Sequence, residues 1–185
     1  MTDAGLLEAA AGGSHAAFAE IASRHFQPVY RLVWRMTGGA ADSEDIAQEA
    51  FVKLWRNPSQ LREGAALRGW LMRVASNAVI DAARKPRAAA LDAVAEPPDP
   101  QARPDAPLDR AEAARLIDAR IAALPDRQRL ALSLVYFEGL SNIEAAAVME
   151  VSVEAVESLL ARARRSLKES LSADWRELIG GLTET

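Results

Sequence analysis

The sequence predicts an all-α protein: two small helical domains joined by a flexible Pro-rich linker, the second containing a helix-turn-helix. Three observations carry this expectation. Alanine and leucine dominate, aromatic residues make up only 5% of the chain, and β-branched runs are absent. Apolar residues recur at helical spacing through long blocks. Six of the nine prolines fall between residues 85 and 107. Proline removes a backbone donor and disfavours helix in the residue before it, so this stretch reads as an extended, solvated connection. The expected division is residues 1–86, a linker over 87–107, and residues 108–185.

In "SHAAFAEIASRHFQPVYRLVWRMTG" residues Phe18, Ile21, Ala22, His25, Phe26, Val29, Val33 and Met36 recur at helical spacing, and Gly38-Gly39 stops the helix. In "DSEDIAQEAFVKLW" either Asp42 or Ser43 can cap the next helix, with Glu44 and Asp45 placed where the helix dipole favours acids. Ile46, Ala50 and Leu54 form one apolar stripe and Ala47, Phe51 and Trp55 its neighbour, leaving Asp45, Gln48, Glu49 and Val52 outward. A third helix runs from about Leu67 to Ala83 and is expected to bury Leu71, Val74, Ala75, Ala78 and Ala82.

Beyond the linker, "LDRAEAARLIDARIAAL" is a helix stopped by Pro125, and "DRQRLALSLVYFEGL" a second stopped at Gly139. Ser141 to Glu144 matches a capping box that opens a short helix, and Ser152 or Val153 opens the last one. A short alanine-rich helix, a tight turn and a longer helix ending in bases form a helix-turn-helix pattern. Ala145, Ala146 and Ala147 would let the two axes approach closely.

Several functions are excluded early. The chain has no cysteine, hence no disulfide, thiolate metal site or cysteine nucleophile. The N-terminus lacks the basic start and apolar core of a secretion signal, and no stretch approaches about 18 uninterrupted apolar residues, so a cytosolic protein is expected. The only histidines, His15 and His25, flank Glu20 without zinc-type spacing, and His25 beside the apolar stripe reads as structural. Neither GxGxxG nor GxxxxGK[ST] occurs. No catalytic site, metal, cofactor or small-molecule substrate is expected.

Charge is segregated along the chain. The net charge is -4. From Lys53 to Arg87 eight bases face only Glu63 and Asp81, a local balance of +6, whereas from Leu91 to Asp126 eight acids face four arginines, a balance of -4. A basic block and an acidic block in one small protein point to separate tasks.

Two groups of residues are candidates for nucleic-acid contact. The third helix carries Arg68, Trp70, Arg73, Asn77, Asp81 and Arg84. Trp70 and Leu71 are adjacent and cannot enter the same part of a core; a surface tryptophan beside arginines offers a stacking face for an unpaired base. The competing reading is a buried tryptophan ringed by solvated arginines. The preceding "NPSQLREGAAL" is loop-like and could cradle a flipped base. The last helix carries Arg162, Arg164, Arg165 and Lys168, either as phosphate contacts behind a base-reading N-terminal half or as a solvated end complementing its own dipole.

In this order, "DSEDIAQEAFVKLW", "LRGWLMRVASNAVIDAARK" and "LPDRQRLALSLVYFEGLSNIEAAAVMEVSVEAVESLLARARRSL" resemble a bacterial RNA polymerase sigma factor of the extracytoplasmic-function (ECF, group IV) class. The resemblance implies that the acidic helix docks on core RNA polymerase through Asp45, Gln48 and Glu49, an acidic patch complementing basic groups. It implies that Arg68, Trp70, Arg73, Asn77 and Arg84 recognise and open the minus-ten element of promoter DNA. That step needs no covalent chemistry, only a pocket that offsets an unstacking cost of a few kcal/mol. It further implies that the helix-turn-helix reads the minus-thirty-five duplex through Ser152, Glu154, Glu157, Ser158, Arg162, Arg164 and Arg165. An anti-sigma factor, often membrane-anchored, is the implied regulator in a stress response. Glu157 and Leu159 depart from the arginines common early in the family's recognition helix. Glu157 can accept from a cytosine amino group but repels phosphate, so the phosphate contacts are the firmer expectation.

Two other functions compete. A stand-alone helix-turn-helix transcription regulator would bind specific duplex without polymerase, and would leave the basic third helix and acidic second helix without a task. A helical adaptor binding only protein would have no use for Arg73, Arg84 and the ARARR run.

Overall fold

The computed structural model describes residues 1–58, 61, 67–84 and 108–182, the side chains of residue 84, 108–113 and 173–182 excepted. The linker expected over 87–107 and most of the loop before the third predicted helix lie outside the described residues. Those described form eight α-helices and no strand.

The N-terminal half is built on α2 (His15–Thr37), which Ser14 caps by accepting from the Ala17 amide and Gly38 ends at φ 69°. Pro28 lies within α2 without ending it, because its buried side, including Ile21, Val29, Leu32, Val33 and Met36, is fixed by neighbouring helices. α3 (Ser43–Arg56) buries Ala47, Ala50, Phe51 and Leu54. Ser43 is fully buried, its hydroxyl 2.7 Å from that of Thr37, so it ties α3 to the end of α2 while Asp42 takes the cap position. α4 (Leu67–Arg84) crosses both. Its buried face is Leu67, Leu71, Met72, Ala75, Ser76 and Val79, whereas Val74 and Ala78 are partly exposed and Ala82 exposed. The face is rotated from the expected one, and Ser76, turned inward, donates to the Arg73 carbonyl at 3.1 Å, which satisfies its hydroxyl locally.

Asp3–Ala11 forms a further helix, α1, beyond those expected from the residue pattern. It seats Leu6, Leu7 and Ala10 in the core, and Asp3 binds His25 at 2.8 Å and Arg24 at 3.3 Å. His25 is structural, as its place beside the apolar stripe required.

In the C-terminal half, α5 (Leu108–Ala122) leads to α6 (Asp126–Leu132), which runs into a π-helical turn over Ser133–Phe137. The turn closes with the Glu138 amide donating to Ser133 at 3.0 Å, and Gly139 at φ 70° redirects the chain. α7 (Asn142–Met149) and α8 (Val153–Leu182) are the helix-turn-helix. Ala145 and Ala146 are buried between them; Ala147 is not.

The halves are packed together. The Glu138 side chain has no solvent exposure, and it lies against three arginines of the other half: Arg35 at 3.2 Å, Arg31 and Arg68 at 3.7 Å. Arg68 also donates to the Glu138 carbonyl. Arg35 lies over the Phe137 ring at 4.1 Å. Burial pushes the Arg35 guanidinium down while the Glu138 carboxylate pushes it up. On the other side, Arg129 donates to the Met36 carbonyl at the end of α2 and to the Leu124 carbonyl at 2.9 Å. An arginine at orphan helix carbonyls complements the negative end of the dipole.

The capping box at α7 is complete: the Glu144 amide donates to the Ser141 hydroxyl at 3.2 Å, and the Ser141 amide to Glu144 Oε2 at 2.8 Å. That amide bond, joined by the hydroxyl of Ser141, holds the Glu144 carboxyl below the usual range. A lowered carboxyl stabilises the fold above its unfolded pKa and ceases to do so as pH falls through the folded value. Ser141→Ala should cost about 1 kcal/mol at pH 7, and the gap from wild type should narrow below pH 4.5, as read by urea melts at pH 7 and pH 3.

Candidate nucleic-acid interface

Three surfaces hold the predicted site residues. On α3, Asp45, Gln48 and Glu49 are all exposed, Gln48 donating to Glu44 at 3.0 Å. Their exposure follows from the two adjacent apolar stripes, which turn the rest of the helix outward. Beside them lies an apolar groove lined by Phe18, Ala22, Phe26, Phe51, Val52 and Trp55. The Trp55 ring packs 4.9 Å from Phe18 and 4.8 Å from His15. Phe18 and Phe26, placed at helical spacing by the sequence, are only partly buried because α2 spans both the core and this groove. The apolar side of α2, too wide for one packing partner, was the signal for the groove.

On α4, Trp70 is partly buried and separates two concavities. Lys53, Arg56, Asn77 and Asp81 surround it on one side. On the other, a cleft of about 420 Å³ is lined by Arg68, Gly69, Arg73, Leu140, Glu144 and Val148. Asn77 is exposed, and Arg84 is the last residue of α4, its side chain outside the described set. Arg68 and Arg73 do not face open solvent alone: Arg68 reaches Glu138, and Arg73 pairs with Glu150 of the helix-turn-helix at 3.0 Å.

On α8, Val156, Leu160 and Ala163 face the core. That leaves Ser152, Glu154, Glu157, Ser158, Arg162, Arg164 and Arg165 exposed. Ser152 caps the helix by accepting from the Ala155 amide at 3.2 Å. Glu154 lies in the first turn, its carboxyl held below the usual range by its own backbone amide and then by Ser152. Arg164 also donates to the Leu160 carbonyl at 3.3 Å. Acids and hydroxyls therefore occupy the first turns of the exposed side, with arginines one turn further on. No group of three or more His, Asp or Glu side chains could hold a metal ion among the described residues, and none of their helices is long and apolar enough to cross a membrane.

A family description of sigma-70 region 2 matches residues 21–89, and one of sigma-70 region 4 matches residues 114–167. The chain is 32% identical to the ECF RNA polymerase sigma factor SigK of Mycobacterium bovis over 172 residues, 90% of this chain and 91% of SigK. The chain belongs to the ECF sigma factors. It is also 29% identical to the ECF sigma factor SigW of Bacillus subtilis, covering 86% of this chain and 91% of SigW. The solved structure of CnrH, in complex with the cytosolic domain of CnrY, superposes with a TM-score of 0.70 at 30% identity, over 93% of this chain and 98% of CnrH. The acidic helix α3 and helix α4 thus belong to region 2 of this sigma factor, and the helix-turn-helix to region 4.

No ion pair holds Asp45 or Glu49 among the described residues, and both are exposed. Reversing both, D45K with E49K, should leave the fold intact, at a cost of about 1 kcal/mol or less from the dipole at the start of α3. Far-ultraviolet circular dichroism and a thermal melt check this.

Proposed function

We propose that this ECF sigma factor works through three surfaces that divide the tasks of initiation. Residues 1–86 form the domain that docks on core RNA polymerase and opens promoter DNA, residues 87–107 the connection, and residues 108–185 the domain that reads the minus-thirty-five duplex. Asp45, Gln48 and Glu49 dock on basic groups of the polymerase. Arg68, Trp70, Arg73, Asn77 and Arg84 engage the minus-ten element, Trp70 stacking on an extruded base. Arg162, Arg164 and Arg165 hold phosphates of the duplex while Ser152, Glu154, Glu157 and Ser158 face the groove.

One observation carries this reading: the segregation of charge onto separate exposed faces, acidic on α3 and basic at the middle of α8. A protein-docking face that is acidic avoids competing with the DNA-binding faces for the same polymer. No step here needs covalent chemistry, so no catalytic residue is assigned. The protein acts in the cytoplasm, where polymerase and chromosome meet. An anti-sigma factor holds it until a stress signal arrives, and the pairing of CnrH with a cytosolic domain supports a membrane-anchored regulator.

Run-off transcription with bacterial core polymerase on genomic fragments tests the role directly. Discrete transcripts should arise only when the protein is present, and their start sites give the promoter elements. D45K with E49K should abolish binding to core polymerase; unchanged affinity would remove that docking assignment. With the holoenzyme, R162A with R165A should weaken promoter binding at every sequence and flatten its log–log salt dependence by about 2, roughly 1 for each phosphate no longer held.

A further inference from the structure

Two positions early in α8, Glu157 and Leu159, carry no positive charge, and the fold treats them differently. Leu159 is partly buried and packs against the core, so it serves the fold. Glu157 is exposed, and among the described residues its carboxylate makes no hydrogen bond or ion pair. The other acid at the start of the helix, Glu154, is engaged: its carboxylate accepts from its own backbone amide and from the Ser152 hydroxyl. One free carboxylate therefore stands among the first turns of the exposed side.

Its neighbours leave it free. One turn further on, the exposed Ala161 brings no charge and no reach beyond its Cβ. Arg164, nearly in line with Glu157 but two turns away, donates to the Leu160 carbonyl at 3.3 Å. At about 100° per residue, Arg165 and Arg162 fall roughly 80° and 140° around the helix from Glu157. They lie on the flank, where a helix seated in a groove meets a phosphate backbone. The helix begins at Val153, and the positive end of its dipole offsets the negative charge that Glu157 brings towards the phosphates.

An ionised carboxylate accepts hydrogen bonds and donates none. In the major groove guanine presents two acceptors, thymine an acceptor and a methyl group, and adenine an amino group beside an acceptor. Cytosine alone presents a donor with no acceptor on the same base. We propose that the minus-thirty-five element of this sigma factor contains a cytosine read by Glu157, whose carboxylate accepts from the N4 amino group while Arg162 and Arg165 hold the flanking phosphates.

The inference rests on the assignment of the helix-turn-helix to the minus-thirty-five duplex, and the test separates the two. Holoenzyme made from the full chain and bacterial core polymerase selects binders from a duplex library, and the bound fraction is sequenced. The library is randomised upstream of the fixed minus-ten segment of a promoter located by run-off transcription. One randomised position should show cytosine enriched about tenfold over the other bases. E157Q should move the preference at that position to adenine, because a carboxamide both donates and accepts and so matches adenine N6 and N7. E157A should leave no preference there above about twofold, with the rest of the selected sequence unchanged. E169Q, which removes the same charge from an exposed site further along α8, should keep the cytosine. Thermal melts of the variants should match wild type, since Glu157 contacts nothing in the fold.

A cytosine that survives E157A, or a general gain in affinity with the preferred base unchanged, would overturn Glu157 as the reader and leave the helix-turn-helix assignment standing. Selection and affinity that are also untouched by R162A with R165A, or no selected sequence with wild type, would overturn both.

Discussion

A carboxylate taken entirely out of water needs compensating charge, and Glu138 finds it on the other half of the chain. The three guanidiniums around it come from α2 and α4. Among the described residues only Arg35 makes a hydrogen bond to the carboxylate; Arg31 and Arg68 act at 3.7 Å through the field. Such an arrangement favours one orientation of the halves over others more than it adds stability, since the desolvation of the acid opposes the attraction. The π-helical turn is the local device behind it. An extra residue in that turn shifts the phase of the residues after it, so that Phe137 meets Arg35 and Glu138 points into the cradle.

The remaining interface depends on this contact. With Glu138 fixed, α7 lies over α4 at Gly69, and the helix-turn-helix turn brings Glu150 to Arg73. The exposed Arg73–Glu150 pair is screened by solvent and adds little to the energy. Its consequence is positional: it ties the turn of the helix-turn-helix to α4. Helix α7 therefore has two roles, supporting α8 through Ala145 and Ala146 and covering α4 through Val148. The acidic face of α3, with Asp45, Gln48 and Glu49 exposed, takes no part in this contact.

Much of this was legible in the residues. The outward Asp45, Gln48 and Glu49 followed from two adjacent apolar stripes, the capping box from Ser141 and Glu144, and the start of α8 from Ser152, because each depends on neighbours within a turn or two. α4 was only partly legible. Leu71 and Ala75 are buried as expected, but Met72, Ser76 and Val79 take the places given to Val74, Ala78 and Ala82. A stripe of small residues fits two orientations, and the neighbours α2 and α3 choose between them. α1 was missed because nine residues with only three buried carry little periodic signal, and its docking through Asp3 to His25 spans distant sequence.

The sequence by itself determined the helical class, the helix-turn-helix and the membership of the ECF sigma factors. Local propensity, capping and motif order suffice for these. Only the tertiary structure decided what Glu138 and Glu150 do. In sequence one precedes a glycine and the other follows a methionine at the end of a short helical run. Their partners Arg31, Arg35, Arg68 and Arg73 lie about seventy or more positions away. Charge pairing across such a span leaves no periodic trace, because it depends on which surfaces the two halves bury against each other and not on the residues beside each charge.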